Sequence, residues 1–211
     1  MTISKAAGGR LRAALIAAAP VLVLAQVAPA LAHHPFGVAE GAEINGWQGL
    51  LSGIGHPLLG PDHLLFLIAL AFVGLKRPMA WTLPLLAVGL AGSGLAQVLS
   101  LPPGMTGWAE ALTAMSLALE GLVALSVLPS AWLIPLFGLH GFLLGGMMVG
   151  AEPTPLLAYF AGLLLGQGAL LLLVTSLSQR LLAWLGADGR RLAAGIWIGI
   201  GCALAWVALA S

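Results

Sequence analysis

Charge is scarce in this sequence: 7% of its 211 residues are Asp, Glu, Lys or Arg, where soluble domains carry about a quarter. A net charge of +1 excludes nucleic acid as a partner, because that partner needs a concentrated basic surface. Cys202 is the only cysteine, so no disulfide can form within the chain. No G-x-x-x-x-G-K-[ST] phosphate loop occurs, which removes that route to ATP hydrolysis. Too little polar sequence is left to build a soluble catalytic domain. In place of charge the chain is 60% hydrophobic, with a mean hydropathy of +1.05. Spread over the whole length, that value places most of the mass in a lipid bilayer. An all-α, multi-pass membrane bundle is expected.

The amino terminus reads as an address. Lys5, Arg10 and Arg12 precede the apolar stretch "LIAAAPVLVLAQVA", and small residues follow at Ala28, Ala30 and Ala32. This is the layout of a secretory signal peptide over residues 1–32. Residues 33–211 then form the transmembrane domain, which begins His33-His34-Pro35. Cleavage after Ala30, or retention as an anchor helix, are the alternatives. The freed amine with His33 or His34 could chelate an incoming cation weakly.

A bilayer crossing takes about 20 apolar residues. Turn signals at Lys76-Arg77-Pro78, Leu101-Pro102-Pro103-Gly104, Pro129-Ser130, Glu152-Pro153-Thr154-Pro155 and the polar stretch 186–191 divide the remainder. Six spans result: 46–75, 79–100, 107–128, 131–150, 155–178 and 191–210. The first holds Gly55, Pro57, Gly60 and Pro61 and reads as a half-helix or re-entrant turn followed by a helix from about Asp62. Broken helices are tolerated at depth only where protein or a cavity satisfies the freed backbone, so the break points to a site. With both mature termini in the periplasm, Lys76, Arg77, Arg180, Arg190 and Arg191 all face the cytoplasm, as the positive-inside rule asks. The implied location is the bacterial inner membrane. Small-residue pairs at Gly141/Gly145, Gly146/Gly150, Gly162/Gly166 and Gly195/Gly199 are read as helix-packing positions.

Apart from Arg191 at the edge of the last span, the ionisable residues within these spans are His56, Asp62, His63, Glu110, Glu120 and His140, with no Lys or Arg among them. Such groups are expensive in hydrocarbon, and each is a functional hypothesis by default. Counting from the cytoplasmic ends at about 1.5 Å per residue puts Glu120 and His140 roughly 14 Å deep and His63 about 20 Å. Gln167 reaches a similar level. Imidazole with carboxylate suits a transition metal rather than Mg or Ca, and two carboxylates neutralise one divalent cation. A cap role for Asp62, a carbonyl-bonded His63 and a Glu120–His140 hydrogen-bonded pair are the structural alternatives. Glu110 is read as a surface or vestibule residue, and Met147 as packing. His56 and His63 would stand about 10 Å apart on an unbroken helix, too far for one metal unless the chain bends.

The stretch "HPLLGPDHLLFLIALAFVG" resembles the H-P-x-x-G-x-D-H motif of the HupE/UreJ family, membrane accessory proteins of hydrogenase and urease systems. "HHPFG", "EGLVALSV" and "LHGFLLGG" also fit that pattern. The resemblance implies uptake of Ni2+ or Co2+ as cargo, with no prosthetic group, no enzymatic activity of the chain, and a functional link to metalloenzyme maturation. It carries over His56, Asp62, His63, Glu120 and His140 as site residues. The family often has a second histidine four residues after the one at His140, where this chain has Leu144. Loss of the metal would leave two carboxylates uncompensated, which suggests coupling to protons. A membrane-embedded zinc hydrolase and a structural or assembly subunit are the competing functions.

Overall fold

The computed structural model describes residues 45–75, 77–99, 101–102, 104–146 and 153–210, without the side chains of 61, 62, 78, 106, 153 and 154. The signal segment, His33, His34, Met147 and the Asp62 side chain therefore lie outside the described residues. All regular structure among those residues is helical: α1 (Gly46–Leu59), α2 (Pro61–Val73), α3 (Pro78–Leu95), α4 (Thr106–Ala124), a 3-10 turn (Ser130–Trp132), α5 (Leu133–Gly146) and α6 (Pro153–Ala210).

Local chemistry sets the helix limits. Asn45 opens α1 with a capping box, its Oδ1 accepting from the Gln48 N–H and its own N–H donating to Gln48 Oε1, both at 2.9 Å. Pro57 cannot donate to the carbonyl four residues back, and Pro61 is fit only for the first turn of a helix. Between them Gly60 leaves the helical region at φ −73°, ψ 111°. The chain turns there, and α1 and α2 meet at 58°. The expected break in the first span is present. Gly74, at φ 72°, closes α2 in the left-handed conformation that glycine adopts without strain.

Two boundaries differ from the sequence expectation. Helix α3 ends at Leu95 and α4 at Ala124, several residues short of 100 and 128. In the second case Ser126 takes φ 62° ahead of Pro129, which disfavours helical geometry in the residue before it. The stretch 186–191, read as a polar loop, is helical except at Gly186 (φ 68°, ψ −174°). That single glycine divides α6 into two arms.

Helix α2 is the central element. Its sequence is apolar around the whole circumference, the pattern of a helix buried on every side. Leu65, Phe66, Leu67, Ala69, Leu70 and Val73 are all buried in one cluster with residues of α3, α4, α5 and α6. Its far end is capped by α6: Gln179 Nε2 donates to the Leu75 carbonyl at 2.8 Å and Arg190 Nη2 to the Val73 carbonyl at 2.9 Å. Small residues weld the other contacts. A Cβ at Gly141 would collide with the Gly89 carbonyl, and one at Gly53 with the Tyr159 carbonyl. Of the small-residue pairs, Gly141/Gly145 pack on α3 and Gly162/Gly166 on α1. Gly146, Gly195 and Gly199 face nothing within 4 Å, and Gly150 is not described.

The surface is the reverse of a soluble protein's. Leu83 (72%), Val98 (77%), Leu157 (69%) and Trp206 (73%) are exposed, while Ser116, Glu120, His140 and Gln167 are buried. By length and composition, one described helix can cross a membrane, Pro155–Ala210, or two if the bent α1–α2 pair counts as one span. Met79–Leu95 and Ser130–Gly146 are apolar but shorter.

Candidate metal site

Four helices bring the buried imidazoles together with their neighbours. His56 lies one turn before the end of α1, and its carbonyl accepts the Gly60 N–H at 2.9 Å. His63 stands in the first turn of α2, beyond the bend. The two ring centres are 5.6 Å apart and nearly perpendicular, at 88°. An unbroken helix would hold them almost twice as far apart, so the proline break closes the gap. His63 in turn stands 5.2 Å from His140 of α5, at 87°. The three rings form a ladder crossing from α1 through α2 to α5.

Phe66, one turn after His63, stacks on His140 at 3.6 Å with planes 16° apart. It also packs against Phe137 at 4.8 Å. On the α4 side, His140 Nε2 is 2.5 Å from Ser116 Oγ. A small cavity opens beside these groups, with room for roughly one water-sized occupant. Its walls include Pro57, His63, Phe66, His140, Leu144 and Gln167. Gln167 thus joins the site from α6, as its depth in the sequence suggests. Leu144, 1% exposed, puts an apolar wall one turn beyond His140. The family pattern often has a second histidine at that place.

Glu120 is fully buried, and neither carboxylate oxygen has a hydrogen-bond partner among the described residues. The Glu120–His140 hydrogen-bonded pair entertained from the sequence is therefore not formed. Ser116 makes that contact instead, four residues earlier on the same face of α4. A buried, unsatisfied carboxylate is costly, and it marks a place where a cation would be stabilised. Glu110 is exposed, as expected of a surface position.

The donor set fits a transition-metal ion by spacing as well as by type. Two imidazoles at about 2 Å from one ion place their ring centres roughly 5 Å apart. Both steps of the ladder match that figure. Among the described residues, no group of three or more His, Cys, Asp or Glu is close enough to hold a metal at once. Among the described residues the arrangement is a series of paired donors.

The regular structure of the described residues is thus all helical, with an apolar exterior and three imidazoles aligned through the interior. The HupE / UreJ protein family model matches residues 21–204, and the chain belongs to that family. The family is associated with nickel and cobalt uptake or accessory function and is not a known enzyme family. No curated protein and no solved structure matches the chain.

Proposed function

We propose that this protein is a secondary-type permease that takes up a divalent transition metal, nickel first and cobalt next, across the bacterial inner membrane. The observation that carries the reading is the His56–His63–His140 ladder beside a fully buried Glu120 carboxylate with no hydrogen-bond partner. A cation would pass between paired imidazoles, with Glu120 and Asp62 balancing its charge and Gln167 lining the cavity. Arg180, Arg190 and Arg191 of α6 belong to the far end of α2, where Arg190 donates to the Val73 carbonyl, so no basic side chain competes for the carboxylates.

In this reading the bent α1–α2 pair, α3, α4, the 3-10 turn with α5, and the two arms of α6 make six membrane spans. Arg77, Arg190 and Gln179 then share the cytoplasmic end of α2, and both mature termini lie in the periplasm. Residues 1–32 act as a cleaved signal peptide, and His33 and His34 offer weak first contacts to the cation. The delivered metal serves the maturation of a metalloenzyme.

Cells with and without the protein, compared for nickel, cobalt and zinc content, test this directly. Metal accumulation without substrate turnover separates a permease from a hydrolase. His63→Ala and Asp62→Asn are expected to abolish accumulation at normal protein levels. Wild-type accumulation by both would overturn the proposal.

A further inference from the structure

The contact between α4 and His140 decides which ring nitrogen faces the cation. We propose that Ser116 is a positioning residue: it holds the proton of His140 on Nε2 and so makes Nδ1 the metal-binding nitrogen. The metal half rests on the permease reading; the proton half stands on geometry alone.

Ser116 Oγ has two close polar neighbours. It lies 2.5 Å from the Thr113 carbonyl oxygen, three residues back on α4, and 2.5 Å from His140 Nε2. A carbonyl oxygen can only accept a hydrogen bond, whereas a neutral imidazole nitrogen can do either. Two oxygen lone pairs would repel at this distance, so the single hydroxyl proton must lie toward Thr113. The hydroxyl is then an acceptor for the ring, and Nε2 must donate. A neutral imidazole carries one N–H, which leaves the lone pair on Nδ1.

The rest of the packing holds this choice in place. Thr113 is itself fixed, its Oγ1 donating to the Ala109 carbonyl at 2.8 Å. Ser116 is fully buried, so bulk water does not compete for the hydroxyl. The Phe66 ring, 3.6 Å from His140 and 16° from parallel, resists tilting of the imidazole. A ligating histidine is commonly oriented through its second nitrogen, and losing that outer partner costs about 10–100-fold in metal affinity. Here the outer partner is a hydroxyl that has already spent its proton, so the tautomer is set before any metal arrives.

The test uses the full chain in detergent with nitrogen-labelled histidine, and the His140→Gln variant to assign the His140 signals. The wild-type spectrum is expected to show the proton on Nε2 and a bare Nδ1. Ser116→Ala should populate the other tautomer and weaken nickel binding about 10–100-fold, and Ser116→Thr should restore both. A wild-type proton on Nδ1 would overturn the proposal, and this holds even where Ser116→Ala fails to fold. So would an unchanged tautomer and affinity in a folded Ser116→Ala protein. The expected tautomers with no nickel binding by the wild type would overturn the permease reading and the metal half together, leaving the proton assignment standing.

Discussion

On one face of α5, Gly141 and Gly145 lie so close to Gly89 and Ser93 of α3 that no Cβ could fit, and Ser93 Oγ and Gln97 Nε2 donate to the Gly141 and Gly145 carbonyls at 2.7 Å. On another face, His140 meets the side chains of Ser116, His63 and Phe66. The first face is a backbone weld, with small residues and polar side chains satisfying carbonyls that lipid could not. Close packing of this kind replaces the hydrophobic drive that helices lack inside a bilayer. The second face carries replaceable chemistry. In the proposed pathway, a ring that must hold its place while a cation passes would gain from being mounted on a helix that cannot shift.

The largest effect should come from breaking the weld. Gly141→Val drives a side chain into the Gly89 carbonyl and is expected to cost about 3 kcal/mol, the upper end for overpacking. Thermal unfolding in detergent would show it as a large fall in midpoint and a loss of monodisperse protein. Gly195→Ala, where nothing lies within 4 Å, should change stability by less than about 0.5 kcal/mol. Equal damage from the two would mean that the α3–α5 contact is not the weld described.

Changes at the site face should do the opposite, sparing the fold and removing the cargo. Glu120→Gln keeps the shape and deletes the only charge this buried group can offer a cation. The metal-free protein should be as stable as the wild type or more so, because the carboxyl group has no hydrogen bond to lose and its ionised form is unfavourable when buried. Nickel uptake should nevertheless be lost. A destabilised Glu120→Gln protein with normal uptake would make the carboxylate structural. Nickel binding should also weaken steadily as the pH falls, since protons compete for imidazole and carboxylate lone pairs. A titration series that stays flat into acid would argue against histidine ligands.

A smaller effect than at the weld belongs to the end of α2, away from both faces. Gln179→Ala removes the amide that caps the Leu75 carbonyl and should cost about 1 kcal/mol, with nickel affinity unchanged. Chemical denaturation beside a binding isotherm would check the two together.

Several of these features were readable from residue order. Gly and Pro around His56 announced the bend, and a histidine or glutamine surrounded by leucines stands out as an expensive choice. Counting residues from the loops put Glu120 and His140 at one level, but such a count resolves no better than a helical turn, about 5.4 Å. Ser116, four residues or about 6 Å from Glu120, is scarcely beyond that error. The depth argument therefore paired His140 with the conspicuous carboxylate, although a serine makes the contact. Ser116 was hard to single out because a serine in an apolar helix usually satisfies its own backbone. Phe66 was equally hidden, one aromatic in a stretch where every neighbour is apolar. The break at Gly186 was blurred by the polar residues after it, which favour a surface helix as readily as a loop. Nothing in hydropathy separates the two glycine pairs that weld helices from the pair that faces open space; that depends on which helices become neighbours.

Uptake of labelled nickel into vesicles containing the purified protein bears most directly on the central claim. The wild type should accumulate nickel, while His63→Ala and Glu120→Gln, present in equal amount and with wild-type unfolding midpoints, should not. Wild-type accumulation rates in both variants would contradict a pathway through the imidazole ladder.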